Sequence, residues 1–143
     1  MGLIMNLQDL TQKYYVEYDY NCAETLLHAC NEYYGLHLQD DQMKLVAGFG
    51  GGMFVGSTCG ALIGCVASLS EKIIETKAHD QLDVFRPAIQ KCVRNFKEEL
   101  KGTNCIEIKP LFHTKETKCL NTCLHAAKAM EKTMDELGIK SVL

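Results

Sequence analysis

Apolar residues recur every three or four positions along almost the whole chain, and that spacing limits the fold more than any other feature. Leu3, Leu7, Leu10 and Tyr14 mark a first helix, and Cys22, Leu26, Cys30 and Tyr33 a second. The Asn21 side chain can cap the second helix while Glu24 reaches back to it, and Gly35 stops it. Asp40 or Asp41 opens a short third helix that ends in a run of glycines. Ser57 or Thr58 is the expected cap of a fourth, which carries Leu62, Val66, Leu69 and Ile73. Leu82, Phe85, Ile89, Cys92, Phe96 and Leu100 make a fifth, ended by Gly102, in which Pro87 predicts a late start or a kink. Thr114 or Thr117 should cap a last helix holding Cys119, Cys123, Ala126, Ala127 and Met130, stopped at Gly138. No strand alternation or hairpin dipeptide interrupts this order. The spacing predicts an all-α fold: a single-domain bundle over residues 1–143, with five or six helices and a glycine-rich loop before the fourth.

The length of 143 residues suits one domain, since these run to roughly 100–200 residues. A net charge of −3 leaves no basic face to release counterions from phosphates, so a nucleic-acid partner is excluded. Leu45 to Ser70 holds no charged residue and is long enough to cross a bilayer. Its glycines break it as a single apolar helix, so no membrane span is expected. The first residues lack the basic flank and cleavage site of a secretory signal, which points to the cytoplasm. In that reducing compartment the eight cysteines mean metal, redox chemistry or plain buried thiols rather than a disulfide scaffold.

The stretch Gly48-Phe49-Gly50-Gly51-Gly52-Met53-Phe54-Val55-Gly56-Ser57-Thr58 never spells G-x-G-x-x-G and lacks the P-loop lysine. It is therefore no phosphate cradle. Gly56, Gly60 and Gly64 recur every four residues and leave one helix face bare. That face serves either tight helix packing or the approach of a cofactor. The small and apolar residues around Gly48–Gly64 also leave a homodimer open.

Position relative to helix ends sorts the thiols. Cys22 follows the Asn21 cap and Cys59 follows Ser57-Thr58, so both should feel the partial positive charge of a helix start, which favours thiolate. Cys105 falls in a turn after Gly102, and Cys119 in the first turns of the last helix. Cys92 lies on a core stripe, and Cys65 points away from Cys59. Cys30 is about 12 Å along the axis from Cys22, too far to share an ion. Cys123 shares a face with Cys119 and is an alternate ligand. No C-x-x-C occurs, which disfavours a thioredoxin-like dithiol, a zinc ribbon and a ferredoxin loop. The histidines are unpaired, and Asp40-Asp41 and Glu98-Glu99 read as solvated helix ends, so no acid–base catalytic residues are expected.

Asn21-Cys22-Ala23-Glu24, Gly50-Gly51-Gly52, Cys59-Gly60-Ala61-Leu62-Ile63-Gly64, Asn104-Cys105, and Cys119 seven residues before Ala126-Ala127 form an ordered set. From about residue 20 to 132 it resembles a family of redox-active proteins recognised by four cysteines and a Cys-Gly-Ala-x-x-Gly motif, the C_GCAxxG_C_C family. The resemblance implies that Cys22, Cys59, Cys105 and Cys119 are the family's four cysteines, with Cys123 at a usually aliphatic place. It also implies an α-helical redox module, sometimes fused to haem-bearing domains and suspected of holding an iron–sulfur centre. Two functions follow as expectations. Either the four thiols carry electrons to an unidentified redox partner, as ligands of an iron–sulfur cluster or as a cycling dithiol, or they form a structural four-cysteine zinc site without redox activity. A module with no cofactor and reduced, buried thiols is the plainest alternative.

Overall fold

The computed structural model describes residues 5–143, and among these the chain is helical, with seven α-helices. They are α1 (Leu7–Val16), α2 (Cys22–Tyr34), α3 (Asp40–Met43), α4 (Gly60–Ile73), α5 (Leu82–Leu100), α6 (Cys105–Phe112) and α7 (Leu120–Glu136). The expected five or six helices thus become seven, the addition being α6. Its start is set by Asn104, whose N–H donates to the Glu107 carboxylate at 3.2 Å, and it ends soon after Pro110. Pro87 does not delay α5, which starts at Leu82 and runs through it. Leu3 lies outside the described residues.

Two of the caps are those that the sequence announces. Asn21 accepts from the Glu24 N–H at 3.0 Å while Glu24 accepts from the Asn21 N–H at 3.1 Å. Gly35 then ends α2 in the left-handed conformation. At α1 the same reciprocal pair is made by Asn6 and Asp9. The caps expected at Ser57 or Thr58 and at Thr114 or Thr117 are corrected. Cys59 itself is the cap of α4, and Cys119 that of α7.

The bundle is organised around α2, which packs along α4, while α1 lies against α7 and α2, and α5 against α7. Leu7, Leu10, Leu26, Leu69, Phe96, Leu100, Met130 and Met134 fill its core. Each such side chain contributes about 1.5–3 kcal/mol of burial. Thr11, Ser68 and Thr133 turn their hydroxyls back onto helix carbonyls at 2.7, 2.7 and 2.9 Å. No buried side-chain nitrogen or oxygen among the described residues lacks a partner.

The glycine-rich segment is not a plain loop. Lys44–Phe49 is 3-10 helical, and Gly52–Gly56 forms one π-helical turn in which Met53 and Phe54 both hold φ of +60°. The uncharged stretch is thereby broken before α4 begins, and no helix among the described residues is long and apolar enough to cross a membrane.

Candidate functional site

Four cysteines stand at the starts of four helices. Cys22 and Cys105 are the first residues of α2 and α6, and Cys59 and Cys119 are the caps of α4 and α7. Cys105 is therefore helical rather than in a turn. The four side chains line one small cavity with Gly51, Ile108, Lys109 and Thr122.

Local backbone pairing brings them together. The segments leading into α4 and α6 meet in an antiparallel bridge between Thr58 and Asn104. There the Cys59 N–H donates to the Thr103 carbonyl at 2.8 Å and the Cys105 N–H to the Ser57 carbonyl at 2.6 Å. The Asn21 amide reaches the Ala47 carbonyl at 2.9 Å, tying the start of α2 to the glycine-rich segment. Cys119 is anchored from α1, since its N–H donates to the Tyr15 hydroxyl at 3.0 Å.

Gly60 supplies the room for the closest of these approaches. A Cβ there would stand 2.6 Å from the Cys22 sulfur, and also 2.6 Å from the Phe49 carbonyl oxygen. At Gly64 a Cβ would meet the Ala23 carbonyl at 2.7 Å. The bare face of α4 thus packs against α2 at Gly64, while Gly60 lies beside the Cys22 sulfur and the Phe49 carbonyl. Gly56 falls outside α4, in the π turn, and faces Ile106 of α6.

The helix-start thiols are not electrostatically alike. Interaction with the neighbouring Cys59 thiol draws the Cys22 pKa down, to about 6; burial opposes this, while the N–H groups of Gly51 and Ala23 assist. The same interaction, then burial, then the Cys22 charge push Cys59 up. The two thiols therefore titrate as a pair that shares one proton. Burial raises Cys105, with Lys109 opposing, and it raises Cys119, with the Cys22 charge adding to it. A place at a helix start does not by itself make a thiolate here. Backbone N–H groups of Ala61 and Leu62 also act on Cys59, and the Tyr15 hydroxyl on Cys119, without offsetting burial there.

The other four cysteines lie inside helices. Burial pushes Cys30 and Cys92 up to about 12 and raises Cys65 and Cys123 well above the ordinary thiol range. Cys123, one turn beyond Cys119, does not line the cavity. None of the five histidines does either. Sequence reasoning missed the Gly51 amide, the Tyr15 hydroxyl and Lys109. Gly51 entered the sequence reading only as part of the Gly50-Gly51-Gly52 motif, and the other two carried no local signal.

On its outer side the cavity meets a larger cleft of about 500 Å³, which shares Cys22, Cys119 and Gly51 in its wall. The inner cavity, at about 20 Å³, has room for about one water molecule. Four thiols have the donor chemistry of an iron–sulfur cluster or a four-cysteine zinc site. Among the described residues no set of three or more His, Cys, Asp or Glu is arranged to hold a single metal ion.

Helices opening on converging thiols define a cysteine-based redox module, and comparison with known proteins gives the same class. Residues 20–133 match the family described as "Putative redox-active protein (C_GCAxxG_C_C)", and the chain belongs to that family. An uncharacterized protein of Archaeoglobus fulgidus is 28% identical over 127 residues, which cover 82% of this chain and 84% of that protein. No solved structure matches the chain.

Proposed function

We propose that the protein is a thiol–disulfide redox carrier in which Cys22 is the attacking thiolate and Cys59 the resolving thiol. The observation that carries this reading is placement: Cys22 and Cys59 line one small cavity, and of the two only Cys22 also lines the outer cleft through which a partner disulfide would come. In the exchange, the Cys22 thiolate attacks one sulfur of a partner disulfide and expels the other as a thiolate. Cys59 gives up its proton and attacks the Cys22 sulfur of the mixed disulfide, releasing the second partner thiolate. Two electrons pass to the partner, two partner thiols are formed after protonation, and Cys22 and Cys59 are joined. Cys105 and Cys119 keep the pair enclosed and supply a second set of thiols within the same cavity wall.

Anaerobic purification followed by metal analysis and peptide mapping tests this reading. Metal-free protein that gains a Cys22–Cys59 link on treatment with one equivalent of a disulfide supports it. Brown protein with stoichiometric iron, or colourless protein with stoichiometric zinc, overturns it in favour of the cluster or the structural four-cysteine site.

A further inference from the structure

The cleft outside the thiol cavity has the size of a small-molecule site, about 500 Å³, rather than the flat face that a protein partner would need. Its walls come from two tight connections, residues 17–21 between α1 and α2 and residues 113–119 between α6 and α7. Each wall holds one non-glycine residue in the left-handed region, Asp19 at φ of +58° and Lys118 at +54°. Such residues persist where the surrounding structure fixes them, and they gather at ligand sites. The second wall is fixed by Thr114 and Lys118, which exchange backbone hydrogen bonds at 3.2 and 2.8 Å, and by the Thr117 N–H, which donates to the Thr114 hydroxyl at 2.9 Å.

The charges around the cleft are Asp19 and Glu116 against Lys118 alone, so the lining favours positive groups. A ligand in this cleft lies directly over Cys22, which lines it. We propose that the cleft receives a low-molecular-weight disulfide bearing ammonium groups, with its sulfurs delivered to Cys22. This rests on the thiol reading above and names its substrate class. Cys22 attacks the near sulfur, and the far half leaves as an amino-thiolate that takes up a proton. Cys59 then displaces the second half, so one disulfide becomes two amino-thiols as the Cys22–Cys59 bond forms.

The test follows oxidation of the reduced full-length protein by cystamine, by neutral hydroxyethyl disulfide and by anionic dithiodiglycolate at neutral pH. Each rate is divided by that of the same disulfide with a small free thiol, to remove leaving-group reactivity. Cystamine should then saturate and should react about tenfold faster than the neutral compound, the scale of a few exposed charge contacts. The anionic compound should be slowest. In the Asp19→Asn/Glu116→Gln double variant the ratio of cystamine to neutral rates should fall toward one, and asparagine keeps the backbone conformation at position 19 accessible. Raising the salt on the unaltered protein should shrink the same ratio, as screening of exposed charges demands. Equal rates for all three compounds, or a cystamine preference that survives both the double variant and high salt, overturn this inference and leave the thiol reading standing. Failure of every disulfide to oxidise the pair removes the thiol reading itself.

Discussion

Cys22 and Cys30 belong to the same helix, yet one has its pKa drawn down to about 6 and the other is pushed up to about 12. At the start of α2, backbone N–H groups that have no helical partner point at the sulfur, and a neighbouring thiol adds a proton. Two turns further on, every backbone group is paired within the helix, and burial leaves Cys30 only the Ser68 hydroxyl. The same division runs through the molecule: Cys59, Cys105 and Cys119 stand at helix starts around a shared cavity, whereas Cys65, Cys92 and Cys123 are packing atoms. Burial is common to both regions, and what separates Cys22 is a second thiol beside its sulfur in addition to the N–H groups of the helix start.

The largest expected effect comes from removing the Cys59 proton. In Cys59→Ala the pH midpoint for alkylation of Cys22 should move from near 6 toward the ordinary value of 9.0. The midpoint is the proper readout, because intrinsic nucleophilicity falls as pKa falls and partly offsets the gain in thiolate at any one pH. An unmoved midpoint would show that the helix start alone sets the Cys22 charge.

Packing around the site gives the next effect. Gly60→Ala places a methyl group 2.6 Å from both the Cys22 sulfur and the Phe49 carbonyl oxygen, and thermal denaturation should register a loss of about 1–3 kcal/mol. Gly48→Ala, where nothing lies within 4 Å, is the control and should be neutral.

In the interior region, Cys65→Ser should destabilise by about 1–3 kcal/mol by burying a hydroxyl. Cys30→Ser should cost less, because Ser68 is at hand as a partner. Neither change should alter the Cys22 midpoint, and a shift would break the division between the two regions. The smallest effect is expected of Asn21→Ala, which loses the α2 cap and its contact with Ala47, at about 0.5–2 kcal/mol in a denaturant titration.

The helices were legible in the sequence because periodic apolar residues and the Asn21–Glu24 pair are local signals. The helix α6 was not expected because Cys105 read as part of a turn after Gly102, although Asn104 and Glu107 carry the same cap pattern. The four site cysteines could be singled out by motif and by nearness to helix ends. The meeting of Cys59 and Cys105 depends on the Thr58–Asn104 bridge, and that of Cys22 and Cys119 with them on the Asn21–Ala47 and Tyr15–Cys119 contacts, pairings between segments far apart in the chain that no periodicity reveals. The expectation that a helix start alone makes a thiolate is not met even at Cys22, where the largest lowering cause is the neighbouring Cys59 thiol, a tertiary contact.

Site-resolved alkylation of all eight cysteines in the reduced, folded protein across a pH series tests the central claim most directly. Labelling at Cys22 alone should be fast, with a midpoint near pH 6, while the interior cysteines react only as the protein opens. A Cys22 midpoint near the ordinary 9.0, or labelling of Cys22 no faster than of Cys30, would contradict the account.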